Sequence, residues 1–464
     1  MPLHGKMNKS EPTDLKSIVM QGFKKSIASL LVKIVTAGLT YLMFVILSRT
    51  MSEKFYGQFA FGFALATILA VAASAGQEVA ILRFWPEEIG KKLRKKANEA
   101  LSAGWALVII AGIIISLSLI AITMLFNLAT SHELTSLSFI MAAASLILPL
   151  AMAEYGSSAL RAQGSVWVAL TPRDILWKAS VPIVVWVLFF YGIKLNGTQA
   201  LLLASFTLSL AMIVQFMIAK YLGYQTQIHF SSLKPYIKKR GKISFWFLIS
   251  TLVDTAALNI DIVLVGLLIA SESAGLYFNA FRTAGLITLF MYAITLVIAP
   301  MVSRHFHAGE IEKAQAVTSL CTWAGFIFSL GIFTIYLLFG DLILSLFGAS
   351  YAEGKIILLL LSAGLLVDAA TGPTRIVMVM TGHERQYVAI FGSIMLISFA
   401  ILLIVIPIYG IIGAAIVNMI ARIIAQSAIA IYAKKKIGLN TSIWGFGGVN
   451  FKELAISLKQ SIKK

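Results

Sequence analysis

Two neighbouring apolar runs decide the fold class of this chain: YVAIFGSIMLISFAILLIVIPI at 387–408 and IIGAAIVNMIARIIAQSAIAIYA at 411–433. A helix of that length crosses a hydrocarbon core that is about 30 Å thick. Lipid offers no hydrogen-bond partners, so an open chain satisfies its backbone there only as a helix. The pair therefore predicts two transmembrane helices joined by a short turn.

Similar runs recur through all 464 residues, of which 59% are hydrophobic and only 12% are charged. The mean hydropathy is +0.89, which excludes an ordinary soluble protein. We expect an all-α integral membrane protein with about twelve transmembrane helices. The predicted spans are 26–48, 55–78, 99–126, 134–160, 175–192, 199–221, 244–269, 276–301, 316–340, 356–380, 387–408 and 411–433.

The basic residues sort to one side of these spans. Of the 38 Lys and Arg residues, 29 fall on the side of the two termini, four fall on the other side and five lie within spans. This split follows the positive-inside rule, so we expect both termini in the cytoplasm. The net charge of +18 is explained in the same way, and we expect no nucleic-acid partner. The single cysteine, Cys321, excludes an intrachain disulfide and a CxxC metal site.

An internal repeat appears at a constant offset of 218 residues. It pairs Gly57 with Gly275, Gly164 with Gly382, and the run Tyr-Gly-Ile at 191–193 with the same run at 409–411. Each half holds six spans, an even number, so the halves share one orientation. We therefore expect two parallel six-helix lobes, related by a pseudo-two-fold axis along the membrane normal. The predicted domains are a cytoplasmic segment 1–25, an N-lobe 26–227, a C-lobe 228–436 and a cytoplasmic amphipathic tail 437–464.

Ten ionisable residues lie within or at the edge of the predicted spans. At a helix centre each costs roughly 2.5–3.5 kcal/mol, so they are expected to face a polar cavity or to pair with one another. For Glu78, Lys178 and Arg422, snorkelling to the interface is an alternative, because they stand near span ends. The complete set is Lys33, Glu78, Glu154, Lys178, Asp254, Asp261, Arg282, Asp368, Arg375 and Arg422.

Helical spacing gives several spans a polar face. Lys33, Thr36 and Thr40 recur on one face of the first span. Asp254 and Asp261 stand two turns apart on the seventh span, which is the repeat of the first. Asp368 and Arg375 share a face of the tenth span, and a structural salt bridge between them is the alternative to a cavity wall.

Three segments resemble a known family. LSRTMSEKFYGQFAFGFAL at 47–65 and IASESAGLYFNAFRTAGL at 269–286 resemble equivalent helix junctions of polysaccharide transporters, which belong to the multidrug/oligosaccharidyl-lipid/polysaccharide exporter (MOP) superfamily. TGHERQYVAIFGSIMLISFAILLIVIPIYGIIGAAIVNMIAR at 381–422 is similar to the end of that family. The resemblance implies flipping of polyprenyl-diphosphate-linked oligosaccharide to the outer leaflet of a bacterial cytoplasmic membrane, for O-antigen, capsule or exopolysaccharide assembly.

The resemblance and the polar faces together give a site hypothesis. Candidates for binding the substrate diphosphate are Lys33, Thr36, Thr40, Arg282 and Arg375. Candidates for ion coupling are Asp254, Asp261, Asp368 and Glu154. We expect no cofactor, no metal site and no catalytic residues, with an H⁺ or Na⁺ gradient as the energy source. Expected partners are the lipid-linked oligosaccharide, membrane lipids, and a polysaccharide polymerase with its chain-length machinery.

Two other functions stay open at this point. A cation-coupled multidrug exporter of the same superfamily would need an acidic, aromatic-lined cavity, and five intramembrane bases argue against it. A membrane polymerase or ligase acting on lipid-linked sugars would be expected to carry catalytic residues on a large outer loop. The predicted outer loops are short.

Overall fold

The computed structural model describes residues 34–130 and 134–448. Within them every regular element is helical and no strand occurs. The predicted segment 1–25, the start of the first span with Lys33, and the part of the predicted tail after residue 448 lie outside the described residues. Eight helical stretches of the described chain are long and apolar enough to cross a membrane. These long apolar helices make up most of the fold.

The first half of the chain folds into eight α-helices. They are α1 (Ile34–Thr50), α2 (Glu53–Ser74), α3 (Gln77–Gly90), α4 (Arg94–Thr130), α5 (Leu134–Ala162), α6 (Trp167–Leu170), α7 (Lys178–Phe190) and α8 (Gly197–Tyr221). A π-helical segment, Thr171–Trp177, joins α6 to α7. Ser52 caps the start of α2 by accepting the backbone N–H of Phe55, and Asn196 begins α8 with a capping box.

The second half begins with a short 3₁₀ turn at Phe230–Ser232 and continues in seven α-helices. They are α9 (Leu233–Leu268), α10 (Ser271–Ala284), α11 (Leu289–His307), α12 (Ile311–Ser345), α13 (Lys355–Thr371), α14 (Thr374–Met380) and α15 (Glu384–Tyr432). Shorter 3₁₀ or π segments are Gly285–Thr288, Ala349–Gly354, Ala433–Ile437 and Ile443–Gly448.

Helix α15 contains the apolar run at 387–408 and all but the last residue of the run at 411–433. Its backbone leaves the helical region at Gly410, with φ 63° and ψ −152°. Tyr387 before the break and Asn418 after it both hydrogen-bond to α9, at Asp254 and Asp261, which are only seven residues apart. The two arms of α15 must therefore fold back alongside each other, as two spans.

Each of the twelve predicted spans, the first from residue 34 onward, coincides with one helix, one arm of α15 or two consecutive helical segments. The span at 276–301 consists of α10 and α11, and the span at 356–380 consists of α13 and α14. The span at 175–192 is irregular at its start, because the π-helical segment precedes α7. Gly372 and Pro373 separate α13 from α14, since Gly372 has φ +75° and Pro373 lacks a backbone donor.

The repeat is visible in the backbone. Helices α2 and α10 begin at Glu53 and Ser271, which are 218 residues apart. At the same offset, Gly192 and Gly410 both have positive φ, 79° and 63°, a conformation that glycine adopts without steric cost. The same turn therefore ends the fifth and the eleventh span. The proposed boundary between lobes, at 227/228, falls between α8 and α9.

The two halves meet along a surface that we call the seam. It is formed by α1 and α2 on one side and by α9, α10 and the end of α12 on the other. Its centre is an aromatic cluster of Phe44, Phe63 and Phe278, all buried. Phe44 packs edge-to-face on Phe278 at 4.7 Å and on Phe63 at 5.7 Å between ring centroids. Such contacts bury large apolar area and fix the relative placement of the helices.

The described part of the predicted tail, residues 437–448, is packed onto the C-lobe. Thr322 donates to the carbonyl of Thr441 at 2.7 Å, and Trp323 donates to the carbonyl of Ile443 at 3.0 Å. Thr441 is fully buried. This stretch is therefore an irregular segment held against α12.

Candidate functional site

Arg282, on α10, places a guanidinium group in the seam. Its Nη2 donates to Asn259 Oδ1 on α9 at 2.9 Å, and its guanidinium lies 4.9 Å from the ring centroid of Phe278 and 6.0 Å from that of Phe44. Among the described residues it forms no salt bridge, and its Nε is buried without a hydrogen-bond partner. The group is thus held by an amide and two rings, and its buried Nε–H has no acceptor among the described residues.

Asn279 lies one turn before Arg282 on the same helix and also faces the seam. Its Oδ1 accepts the hydroxyl of Tyr56, which belongs to α2 of the other lobe. Its Nδ2 has no partner among the described residues, although the residue is fully buried. A buried donor without an acceptor costs about 1–3 kcal/mol. Two such donors one turn apart suit a ligand rich in acceptor oxygens.

Arg375 and Asp254 form an ion pair between α14 and α9. Arg375 Nη2 lies 2.6 Å from Asp254 Oδ2, and the Tyr387 hydroxyl donates to Asp254 Oδ1 at 3.3 Å. The guanidinium of Arg375 is about half exposed and stands over the Tyr387 ring at 5.6 Å. Arg375 therefore pairs with a different helix, and the predicted alternative of a salt bridge with Asp368 is wrong.

Asp368 instead pairs with Arg422, from the second arm of α15. Arg422 Nη1 lies 3.2 Å from Asp368 Oδ2, and its Nε donates to Asn418 Oδ1 at 3.0 Å. Asn418 in turn donates to Asp261, which also accepts the Tyr277 hydroxyl. Arg422 is only 7% exposed, so the predicted snorkelling alternative is wrong for this residue.

A cavity of about 370 Å³ opens beside this network in the C-lobe. Asp368, Arg375 and Gln426 give it a charged wall, and the break at Gly372 forms part of its lining. Asp368 Oδ1 has no hydrogen-bond partner among the described residues. The described residues contain no group of three His, Cys, Asp or Glu side chains that could hold a metal ion. The arrangement is that of a largely apolar chamber with one charged wall, where one carboxylate oxygen is buried without a partner among the described residues.

Glu154 lies in the N-lobe, away from the other acidic candidates. Arg173 grips it with both Nη atoms, and one of these contacts measures 2.8 Å. Arg173 is close to Asp174 as well, at 3.7 Å. Arg173 stands between the predicted spans 134–160 and 175–192, where a cytoplasmic loop is expected, yet it lies in the π-helical segment. A bidentate guanidinium neutralises Glu154, which makes it a weaker candidate for ion coupling.

Glu78 and Lys178 are also anchored within the N-lobe. Glu78 accepts the Ser74 hydroxyl at 2.6 Å, and its other carboxylate oxygen is buried without a partner among the described residues. The ammonium of Lys178 lies 4.6 Å from the Trp177 ring centroid and 5.8 Å from that of Phe63. It therefore points to aromatic rings of the protein interior, and the snorkelling alternative is wrong for Lys178.

Thr36 and Thr40 are partly buried on α1, and Thr40 donates to the carbonyl of Thr36 at 2.6 Å. Lys33, the cation predicted for the same face, lies outside the described residues. The structure thus brings Arg282 to the seam and groups Asp254, Asp261, Asp368 and Arg375 in the C-lobe. Helix α9 links the two regions, because Asn259 lies between Asp254 and Asp261 in the sequence.

Sequence reasoning missed the neutral members of the site. Asn259, Asn418 and Tyr387 complete the contacts of the charged residues, but single amides and phenols in apolar spans carry no distinctive spacing. Arg173 was missed because the irregular start of the fifth span was read as a loop. Arg422 was recognised as an intramembrane charge but was assigned to a span end. Its position eleven residues into a 23-residue run could have indicated burial instead.

No curated protein matches the sequence. Among solved structures, an inward-facing multidrug resistance MATE family transporter of the MOP superfamily aligns with a TM-score of 0.70 at 16% identity, over 88% of this chain and 98% of that one. The lipid II flippase MurJ, in an inward closed conformation, aligns with a TM-score of 0.69 at 17% identity, over 88% of each chain.

A MOP superfamily transporter from Pyrococcus furiosus Vc1 aligns with a TM-score of 0.63 at 16% identity, over 90% of this chain and 95% of that one. These likenesses confirm the predicted fold, a polytopic helical membrane protein with two lobes of six spans. A sequence profile described as "Polysaccharide biosynthesis protein" matches residues 23–306, more than half of the chain. The chain therefore belongs to the polysaccharide biosynthesis protein family, with the fold of the MOP superfamily.

Proposed function

We propose that this protein is a flippase that moves polyprenyl-diphosphate-linked oligosaccharide from the inner to the outer leaflet of a bacterial cytoplasmic membrane. The products would be surface polysaccharides such as O-antigen, capsule or exopolysaccharide. Membership of the polysaccharide biosynthesis protein family supports a role in making polysaccharides. The similar fold of the lipid II flippase supports transfer of a lipid-linked substrate between leaflets. On this proposal the chain transports and is not an enzyme.

The observation that carries the proposal is Arg282 in the seam between the lobes. A diphosphate offers several anionic oxygens, and guanidinium N–H groups bind such oxygens with charge-assisted hydrogen bonds. Arg282 has no carboxylate partner among the described residues, so no acidic side chain there neutralises its charge. Each such bond is worth roughly 1.5–3 kcal/mol.

Ion coupling is proposed for the acidic residues of the C-lobe. Asp261 and Asp368 belong to one hydrogen-bonded network with Asn418 and Arg422, so a change of charge at one is felt by the others. Protonation or Na⁺ binding at Asp368 would weaken its pair with Arg422. That would let an H⁺ or Na⁺ gradient bias rocking of the two lobes around the seam. No bound cofactor is needed for such a cycle.

A cation-coupled multidrug exporter is the second candidate, and the likeness to MATE structures favours it. The balance of charge argues against it, since the seam presents Arg282 and would repel a cationic drug. A polysaccharide polymerase and its chain-length machinery are the proposed partners of the flippase, because they would consume its product at the outer leaflet.

Reconstitution into lipid vesicles tests the proposal. Vesicles holding the purified protein should transfer a fluorescent polyprenyl-diphosphate oligosaccharide between leaflets, and a pH or Na⁺ gradient should accelerate the transfer. Deletion of the gene should abolish a surface polysaccharide. Unchanged glycan together with new sensitivity to cationic dyes would overturn the flippase in favour of drug export.

A further inference from the structure

An irregular segment of backbone, residues 438–442, follows the last span and inserts into the C-lobe; we call it the strap. Gly438 has φ +83° and ends the preceding π-helical segment, so the chain turns there. Thr441 is fully buried. It contacts α12 at Thr322, eleven residues and therefore about 16 Å from the start of that helix. The strap thus reaches the depth of the predicted span 316–340.

Thr441 joins three parts of the C-lobe at one point. Its carbonyl accepts the hydroxyl of Thr322 on α12 at 2.7 Å, and its own hydroxyl lies 2.7 Å from that of Thr374 on α14. A Cβ atom built on Gly372 would overlap both the Thr441 carbonyl oxygen and the Thr322 hydroxyl oxygen. The strap and α12 therefore fill the space beside the break between α13 and α14, at Gly372 and Pro373.

The backbone on either side of Thr441 is also held by α12. The side chain of Gln315 accepts the N–H of Asn440 at 2.8 Å and donates to its carbonyl at 2.7 Å. Trp323 Nε1 donates to the carbonyl of Ile443 at 3.0 Å. One helix therefore makes hydrogen bonds to three consecutive parts of this segment, which fixes its position relative to α12.

The N-lobe has the corresponding helix without a break. At the 218-residue offset, Gly372 and Pro373 correspond to Glu154 and Tyr155 in α5. Helix α5 is continuous there, although it contains a proline, Pro149, in its interior. A proline alone therefore does not divide a span of this fold into two helices. The break belongs to the lobe in which the strap is inserted.

The space that the strap fills is filled differently in the N-lobe. Gly104, which corresponds to Thr322, packs against the ring of Tyr155. That tyrosine donates its hydroxyl to a backbone carbonyl of α4 at 2.7 Å. A Cβ atom built on Gly223, which corresponds to Thr441, meets nothing within 4 Å. A tyrosine ring thus joins the two helices in the N-lobe, whereas the strap joins them in the C-lobe.

The break separates the charged residues of the C-lobe cavity. Asp368 lies one turn before Gly372 and pairs with Arg422 of α15, whereas Arg375 lies after the break and pairs with Asp254 of α9. Asp368 and Arg375 both line the cavity. In a continuous helix, their spacing of seven would place them on one face. The geometry of the break therefore decides which partner each of them meets.

We propose that the strap positions Asp368 for ion binding, and that Thr441 acts as a positioning residue through the break. The inference rests on the proposed ion coupling and adds the element that keeps the Asp368 carboxylate turned away from Arg375. Without the strap, Gly372 is free to leave its positive φ and the break closes toward a continuous helix like α5. Arg375 then competes with the ion for the carboxylate of Asp368.

Thr441→Val tests the proposal, because the two side chains have nearly the same shape and only the hydroxyl contact with Thr374 is lost. Transfer of a fluorescent polyprenyl-diphosphate oligosaccharide in vesicles is measured over a range of Na⁺ concentration and of pH. We expect the concentration of the coupling ion that half-saturates transfer to rise about fivefold, the effect of one hydrogen bond. The rate at saturating ion should stay at the wild-type value. Thr441→Ser keeps the hydroxyl and should behave as the wild type does.

Ser442→Ala is the matched control, because the Ser442 hydroxyl bonds within the strap, to Asn440 at 2.8 Å. It should leave the half-saturating ion concentration unchanged. An unchanged concentration in Thr441→Val would overturn the proposal. So would a lower maximal rate or membrane abundance without a change in that concentration, since a purely structural contact has that pattern. If Thr441→Val does not accumulate, Thr322→Val removes the contact from the α12 side and is judged in the same way.

Chemical labelling of Asp368 distinguishes failure of this proposal from failure of the flippase assignment. A hydrophobic carbodiimide modifies protonated carboxyl groups in the purified full chain, and mass spectrometry quantifies the modified peptide. The concentration of Na⁺ that protects Asp368, or of H⁺ that permits its labelling, should rise about fivefold in Thr441→Val. Labelling of Glu154 is the internal reference and should not change. These results are expected even if the wild type transfers no lipid. An Asp368 that responds identically in wild type and Thr441→Val would overturn the role of the strap.

Discussion

Gly57 and Gly275, which are equivalent in the two repeats, lie against each other in the seam. A Cβ atom built on Gly275 would stand 3.2 Å from Gly57 Cα, and one built on Gly57 would stand 1.8 Å from the carbonyl oxygen of Ser271. Residues related by a two-fold axis can touch only near that axis. The contact therefore marks where the pseudo-two-fold axis passes, at the predicted outer ends of α2 and α10.

Gly57→Ala should force these helix ends apart. The atom in the way belongs to the backbone, which cannot rotate aside, and overpacking of this kind typically costs about 1–3 kcal/mol. We expect a lower thermal midpoint in detergent and a longer distance between spin labels placed on the outer ends of α2 and α10. Gly38→Ala is the matched control, since a Cβ there meets open space. A wild-type midpoint and distance in Gly57→Ala would contradict the contact.

Arg282→Ala should impair transport by one to two orders of magnitude while the protein remains abundant in the membrane. The expected loss corresponds to one charge-assisted hydrogen bond, roughly 1.5–3 kcal/mol. Arg282→Lys should keep part of the activity, because the charge remains but the planar fork of donors is lost. Membrane abundance is measured beside flipping. Full activity of an abundant Arg282→Ala variant would remove this residue from the site.

The amino-acid sequence alone predicts the transmembrane spans and the two lobes, but not the side-chain contacts of the candidate site. The length of the apolar runs predicted the spans, and the 218-residue offset predicted the two lobes. Each of these signals is a pattern over many residues, so a single atypical residue does not change the prediction. Arg282 was predicted as a site residue because a charged side chain within an apolar span is costly in any orientation. Its contacts with Asn259, Phe44 and Phe278 depend on helix rotation and packing, which spacing along one helix cannot specify.

Pairing of charges was the least predictable feature. Asp368 and Arg375 share a face at a spacing of seven, yet Gly372 and Pro373 break the helix between them. Each then meets a partner from a distant part of the chain, Arg422 or Asp254. The packing of α9, α14 and α15 determines which charged residues pair. The sequence could therefore identify the charged residues but not their partners.

Arg422→Ala should destabilise the C-lobe. Removing one member of a buried ion pair leaves the other uncompensated, at a cost of about 3–5 kcal/mol. We expect a marked fall in the membrane abundance of Arg422→Ala, and partial recovery when Asp368→Asn is added, since the amide carries no charge. Arg375→Ala is the comparison, because its side chain is 55% exposed and its loss should cost less. Equal abundance of Arg422→Ala and wild type would contradict a structural role for this pair.

The orientation of the chain is tested by reporter fusions. The uneven distribution of Lys and Arg predicts cytoplasmic reporters at residue 235 and at the C-terminus, and an external reporter at residue 196. An alkaline phosphatase fusion should be active only at residue 196, and a cytoplasmic fluorescent reporter should be active at the other two. The reverse pattern would invert the assignment of every loop.

Arg49 connects the two lobes at the predicted outer end of the seam. Its Nε donates to the carbonyl of Leu346 and its Nη2 to that of Ser345, both at 2.7 Å. These carbonyls end α12, where a cation also interacts favourably with the helix dipole. Hydrogen bonds from a charged donor contribute about 1.5–3 kcal/mol each when shielded from water, and less at an exposed site such as this one. Arg49 should therefore favour the state in which the predicted outer ends are closed.

Arg49→Ala should consequently raise the fraction of molecules that open to the predicted outer side. A reporter is Met43→Cys, combined with Cys321→Ser, because Met43 is buried on α1 with 1% exposure. A membrane-impermeant maleimide added from outside should label the reporter several-fold faster in Arg49→Ala. Lys54→Ala removes a charge from the same predicted side and should leave labelling unchanged. Equal labelling rates in Arg49→Ala and the parent would show that these two bonds do not hold the seam closed.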